Sequence, residues 1–301
     1  MIKYFFKNNR DKNLKTIQKI KNGAWITVEN PSEEELLNFS EQFNLETDIC
    51  LNALDPFEVP RIENEEGNTY IFTRFAHKTG DRITTSPILF IITPKFIMTV
   101  SSKPLPFLKK FMSNKIKFAT TSKVKFLAQM FSEIHSDYEQ LVNSIHKSIR
   151  NLSKDLESID NKDISKFVRF ETNFNDFLFG LEPTNIALKK LLSKKYVKMT
   201  EEAQDLIEEL YIDNQQLMAI CTSNLKGIVN IRESHSSIVS NNLNTTMKLL
   251  TSITVILTIP TMVSSFYGMN VDLPFHSSPL AFLGILIFTL IVSFGLLALF
   301  R

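Results

Sequence analysis

Glycine is scarce in this chain, at 8 of 301 residues, and no Gly-rich loop offers backbone N–H groups to a phosphate. ATP-driven pumping therefore has no support in the sequence, and neither nucleotide nor nucleic acid is an expected partner. Cysteine is scarcer still: Cys50 and Cys221 stand far apart and match no metal spacing, which excludes a disulfide framework and suits a reducing cytosol, with both read as packing residues. The five histidines, His77, His135, His146, His235 and His276, are scattered, and no pair shares a face with a carboxylate. A metalloenzyme is excluded on that ground, and no enzyme activity is expected. The opening stretch MIKYFFKNNR lacks a long apolar region and a small-residue cleavage site, so no signal peptide is expected.

The most informative absence is of charge. Average composition is that of a globular protein, 44% hydrophobic and 22% charged with a net charge of +2, but beyond Thr246 the only charged side chains are Lys248, Asp272 and Arg301. Leu249 to Tyr267 and Pro279 to Phe300 form uncharged runs of about 19 and 22 residues, close to the ~20 that a helix needs to cross a bilayer core. Two C-terminal transmembrane helices in a lipid bilayer are expected. Lys248 precedes the first and Arg301 follows the second, whereas the link between them holds only Asp272 and His276, so both termini are expected on the cytoplasmic side of the cell's inner (plasma) membrane.

The charged part of the chain has two textures. Over residues 1–103, β-branched and aromatic clusters (AWITV, TYIFTRFA, PILFIITPKFIMTV) alternate with turn residues and with a helix predicted at PSEEELLNFSEQF, where Pro31 is placed in the first turn. This is an α/β cytosolic domain built on a sheet. Residues 104–199 are long helical runs broken around SIDNKD and near KKYVKM. From Thr200 to Ile259 there is no proline and Gly227 is the only glycine, so residues 200–267 are expected to form one stalk helix running into the first span. At 1.5 Å per residue it would be on the order of 90 Å long, and a rod of that length must pack on neighbours. Leu206, Leu210, Leu217, Ile220 and Ile228 are read as one drifting apolar face. The stretch around LDPFEVPR, with Asp55, Glu58 and Arg61, is read as structural.

The first span has a polar stripe. Thr251, Thr254, Thr258, Thr261 and Ser265 follow one another at intervals of three and four, which places five hydroxyls on one side of an apolar helix; extended toward the cytosol, the stripe passes Leu250, Met247 and Asn244. One or two such hydroxyls are explained by bonds back to the helix's own backbone, but five in register suggest a wet face. Two helices cannot enclose water alone, so a wet face implies a closed homo-oligomer with the first span inside and the uniformly apolar second span outside. Asn244, Thr254, Thr258, Thr261 and Ser265 are then candidate pore-lining residues, with Met247 and Leu250 a candidate hydrophobic gate that closes by dewetting. No Lys or Arg lies on the stripe, and Asn270 would add amide oxygens at the mouth. Such oxygens accept hydrogen bonds from a hydration shell without stripping it, which suits Mg²⁺, an ion that sheds water reluctantly.

Tyr267, Gly268, Met269 and Asn270 read YGMN, directly after a span containing Pro260 and a hydroxyl stripe, followed by a short link (268–278) and a second C-terminal span (279–301). In this position the motif resembles the signature of the CorA family of magnesium and cobalt transporters. The resemblance implies a funnel-shaped homopentamer with Tyr267 to Asn270 as selectivity loop, Thr258 and Thr261 lining the pore, Leu250 and Met247 as gate with Asn244 beneath, and Mg²⁺ as both substrate and regulatory ligand. Asn270 would act on the ion through its hydration shell. Regulation would need a carboxylate cluster, for which Asp205, Glu208 and Glu209 on the stalk are candidates. One departure concerns the link, which in many relatives is an acidic MPEL-type sequence and here is VDLPFHSS; this bears on how cations are attracted and on the preference among Mg²⁺, Co²⁺ and Ni²⁺. Two alternatives stay open. One is a zinc transporter of the same fold, since cousins vary the middle residue of the motif; the other is a membrane-anchored signalling scaffold with no pore.

Overall fold

The computed structural model describes residues 2–80, 82–274 and 278–299, with side chains of the last helix described as far as Gly295. The chain forms two compact units, Met1–Asn230 and Ile231–Arg301.

The first unit is built on strands β1 (Ile2–Phe6), β2 (Lys15–Thr16), β3 (Ala24–Glu29), β4 (Ile62–Glu65), β5 (Asn68–Thr79), β6 (Arg82–Ile92) and β7 (Phe96–Ser101). They make one sheet in the order β2-β1-β3-β7-β6-β5-β4, antiparallel throughout except for the parallel pair β3 and β7. The parallel pair needs a long crossover, and the chain supplies it through α1 (Glu33–Phe43), α2 (Thr47–Asn52) and β4 to β6. The β4–β5 connection is tight because Glu66 (φ 52°) and Gly67 (φ 79°) are both left-handed, the backbone a two-residue hairpin turn requires. β3 and β7 are almost wholly buried, which the continuous apolar runs AWITV and FIMTV reflect: a sheet covered on both faces has no polar alternation.

One cover is α1 with α2, whose Leu36, Phe39, Ile49 and Cys50 pack on Ile26, Phe72, Leu89 and Met98. The other is α4 (Lys123–Leu152) with α5 (Asn161–Leu192), both packed on β5 and β6. There Phe131 meets Phe90 at 5.3 Å between ring centroids, and the Thr73 and Thr184 hydroxyls lie 2.8 Å apart. Trp25 sits among Phe5, Phe118 and Phe126, with α3 (Leu108–Met112) adding Phe111 to the cluster. The helix predicted at PSEEELLNFSEQF starts later than expected. Ser32 is the N-cap in a capping box with Glu35, so Pro31 precedes the helix instead of occupying its first turn. The break at SIDNKD ends in a second box, Asp160 with Asp163, which starts α5.

Helix α6 (Glu201–Tyr267) runs 67 residues, with Pro260 inside it. In the first unit its buried side chains are Ala203, Ile207, Leu210, Asn214, Leu217, Cys221 and Ile228. This corrects the expected apolar face: Leu210, Leu217 and Ile228 lie on it, Leu206 is at its edge, and Ile220 is exposed. Counting leucines and isoleucines misses a face that steps through Ala203, Asn214 and Cys221 at intervals of three and four. In the second unit the rest of α6 is followed by a turn region and by α7 (Ala281–Leu299).

Candidate ion pathway

The second half of α6 is rich in threonine, a residue that sits in a helix without loss when its hydroxyl finds the carbonyl four residues back. Thr254 donates to the Leu250 carbonyl at 2.9 Å, Thr258 to Thr254 at 2.7 Å and Thr261 to Leu257 at 2.7 Å. These are the backbone bonds by which isolated hydroxyls are ordinarily explained. They also have a chemical consequence: each hydroxyl proton is used inside the helix, so what projects outward is an oxygen with free lone pairs. Over Thr254, Thr258 and Thr261 the stripe is a column of acceptors, suited to water molecules whose oxygens are turned toward a cation.

Thr254, Thr258, Thr261 and Ser265 are all exposed and line one shallow groove with Leu257 and Met262. On the other side, Val263 and Tyr267 line a groove with Ala281, Gly284, Ile285 and Phe288 of α7. Val263 follows Thr254 by nine residues and Tyr267 follows Thr258 by nine, about two and a half helical turns. The α7-facing side of the helix and the hydroxyl stripe are therefore diametrically opposed. Met247 and Leu250 are exposed at 51% and 57% on the N-terminal continuation of the stripe, where Asn244 is exposed as well.

α7 is not uniformly apolar toward its neighbours. Among the described residues of α7 the buried side chains are Thr289 and Ser293, one turn apart, with Thr289 bonded back to the Ile285 and Leu286 carbonyls at 3.0 Å and Ser293 Oγ without a partner among the described residues. Small polar residues let membrane helices approach closely, so these two belong to a helix contact face and not to a lipid face.

The YGMN segment closes α6. Gly268 N–H donates to the Ser264 carbonyl at 3.0 Å and Met269 N–H to Phe266 at 3.2 Å, leaving Gly268, Met269 and Asn270 exposed just beyond the helix. Tyr267 donates its hydroxyl to the Pro274 carbonyl at 3.2 Å, tying the link to the helix end. A Cβ built on Gly268 would meet Ser264 O at 3.4 Å, an ordinary contact, so nothing among the described residues demands glycine there. Asp272 is exposed, and His276 and Arg301 lie outside the described residues.

On the first-unit part of α6, Asp205, Glu208 and Glu209 are exposed. Among the described residues of one chain no three His, Cys, Asp or Glu side chains converge as a metal site. Glu202 pairs with Lys125 of α4, and Asp213 lies near His135, whose pKa is pushed below its ordinary value by burial and only partly restored by Asp213 and Glu139. His146 meets Asn224 at 2.7 Å, joining α4 to α6.

Around LDPFEVPR, Arg61 pairs with Glu58 and Glu63 and covers the Phe72 ring at 4.5 Å, while Asp55 caps the Phe57 N–H at 2.9 Å. The anchor of this turn is Arg74, which the sequence reading passed over. Its guanidinium donates to the carbonyls of Glu58 (2.7 Å), Pro56 (2.8 Å) and Thr85 (2.8 Å) and to Thr85 Oγ1 (3.0 Å). The available signal was a lone arginine inside an apolar strand run, TYIFTRFA.

The fold of this chain, an α/β unit carrying a long helix that is followed by a second apolar helix, is similar to that of the full-length CorA magnesium transporter from Methanocaldococcus jannaschii. The two structures align with a TM-score of 0.85 at 21% identity, covering 99% of this chain and 96% of that one. By sequence, the chain is 25% identical over 273 residues to the cobalt/magnesium transport protein CorA of the same organism, covering 86% of this chain and 83% of the relative. The ZntB cytoplasmic domain from Vibrio parahaemolyticus shares the fold of the first unit, with a TM-score of 0.65 at 8% identity over 79% of this chain and 98% of that one. A profile of the CorA-like Mg²⁺ transporter proteins matches residues 21–301. The protein is thus of the metal-ion transporter class, not an enzyme. The chain belongs to the CorA-like Mg²⁺ transporter family, a family of membrane transporters.

Proposed function

We propose that copies of this chain assemble, five to a ring by the family resemblance, around a water-filled axis lined by α6, and that the ring passes hydrated Mg²⁺ passively, with Co²⁺ and Ni²⁺ as further candidates. The observation that carries this reading is the opposition of faces on α6. α7 covers one side, so the hydroxyl stripe of Thr254, Thr258, Thr261 and Ser265 is left for the side that a ring would turn inward. Two membrane helices, α6 from Leu249 and α7, supply inner and outer layers.

The chemistry follows from the donor set. A ring of Asn270 amide oxygens accepts hydrogen bonds from the water shell of the ion, and the threonine oxygens continue that contact inward. No stage requires dehydration, the step that Mg²⁺ resists. Leu250 and Met247 make apolar collars where water is expelled when the ring is narrow. A doubly charged ion gains about 4.6 kcal/mol on entering down an inside-negative potential of about 100 mV, so no nucleotide is consumed. Closure by internal Mg²⁺ is assigned to exposed carboxylates of the stalk. Asp205, Glu208 and Glu209 offer such oxygens, and because no convergent trio stands among the described residues of one chain, the adjacent copy is assigned the remaining ligands.

The test is divalent flux into liposomes holding the purified protein, with Mg²⁺, Co²⁺, Ni²⁺ and Zn²⁺ compared. Mg²⁺ flux that falls at least tenfold in Asn270→Ala, with unchanged oligomer size, is the expected result. Flux of Zn²⁺ alone would favour the zinc transporter, and no flux of any ion would leave the pore-free scaffold.

A further inference from the structure

The N-terminal stretch is unusually basic. Lys3, Lys7, Arg10, Lys12, Lys15, Lys19 and Lys21 stand against one acid, Asp11. A second stretch about a hundred residues later, SNKIKFATTSKVK (113–125), has four lysines and no acid. The fold brings these segments together. Lys7 N–H donates to Thr120 Oγ1 at 3.0 Å, and Thr120 N–H returns to the Lys7 carbonyl at 2.8 Å. Asn114, held in the left-handed region at φ 54°, accepts from both Lys7 Nζ (2.9 Å) and Leu14 N–H (3.2 Å). The result is a groove of about 740 Å³ lined by Lys7, Arg10, Lys12, Lys115, Lys117 and Lys125.

Two acids line the same groove, and both are already engaged: Asp11 with Lys15, and Glu202 with Lys125. Lys7 is buried, its ammonium held by Asn114 and by the Phe118 ring at 4.5 Å. Arg10, Lys12, Lys115 and Lys117 are exposed and have no ion-pair partner among the described residues. Four unpaired cations converging on one concavity repel one another, and folding gains nothing from collecting them. An anion with several charges relieves that repulsion at all four at once.

We propose that this groove binds a small soluble polyphosphate. The volume is that of an ordinary small-molecule site. Lysine and arginine are the side chains that take phosphate oxygens, and a chain of linked phosphates spreads negative charge over the distance that two loops can span. The absence of a glycine loop does not weigh against this, because side-chain ammonium and guanidinium groups replace backbone N–H donors here.

Calorimetry of the full-length protein in detergent, at about 0.15 M salt and without divalent cations, tests the proposal with tripolyphosphate, ATP, AMP and orthophosphate as probes. Tripolyphosphate and ATP are expected to bind competitively, once per chain, at least tenfold tighter than AMP or orthophosphate. The double variant Lys115→Glu/Lys117→Glu should weaken tripolyphosphate at least tenfold without lowering the melting temperature. Arg10→Glu/Lys12→Glu, on the other segment, should do the same. No binding of tripolyphosphate, binding indifferent to both charge reversals, or binding of ATP that tripolyphosphate does not displace would each overturn the assignment.

Discussion

At the scale of single residues, burial decides chemistry that composition leaves open. Cys50 and Cys221 are both buried, and desolvation of the thiolate raises each thiol from 9.0 to about 12. At pH 8 the reactive thiolate is then on the order of one part in 10⁴. Iodoacetamide should leave both cysteines unmodified in the folded protein and label them in denaturant, read by intact mass. The same shift has a sign for stability: the unfolded chain releases these protons near pH 9 and the folded chain only near 12, so stability present below pH 9 is lost as pH rises through that window. His135 acts at the other end of the scale, because burial lowers its pKa below 6.5. The unfolded chain takes up the proton first as pH falls, and the melting temperature should drop below pH 6.5, less so in His135→Gln. Gly180 is a different case. A Cβ there would lie 2.9 Å from Tyr138 Oη and 3.3 Å from Arg74 Cβ, so Gly180 is present for close packing of α5 on β5, a requirement no local pattern reveals.

Among elements, some helix starts are written in local residue pairs and most anchors are not. Capping boxes at Ser32/Glu35 and Asp160/Asp163 start α1 and α5 with residue pairs visible in the sequence. Buried strands announce themselves as unbroken apolar runs. The face of α6 was harder, because Ala203, Asn214 and Cys221 carry it alongside larger side chains; Asn214 belongs there since its amide donates to the Leu181 carbonyl at 2.9 Å, a partner 33 residues away. Arg74 shows the same limit: its partners at Pro56, Glu58 and Thr85 lie on other segments. Arg74→Met should lower stability by about 3 kcal/mol, since it strands carbonyls that had a charged donor; the melting temperature of the full chain measures this.

For the whole molecule, the proposed ring makes predictions that a single chain cannot. Cysteines introduced at Thr254, Thr258 and Thr261 should react with a water-soluble maleimide in liposomes, while one introduced at Val263, on the α7 side, should not. Equal protection at all four positions would remove the aqueous axis. Neutralising Glu208 and Glu209 together to Gln should raise the internal Mg²⁺ needed for half-inhibition of flux several-fold; unchanged inhibition would exclude this pair from the sensor.

Residue order alone determined the division into a charged α/β and helical part and an end with only three charges, the threonine stripe and the Tyr267 to Asn270 signature, because each depends on charge, residue identity or helical period along one continuous segment. Only the tertiary structure decided that α7 covers the side of α6 opposite the stripe, that Arg74 pins the Pro56 to Glu58 turn, and that two lysine-rich loops share one groove. Those facts rest on contacts between residues tens to a hundred positions apart, and no local pattern records which distant segment a side chain will meet.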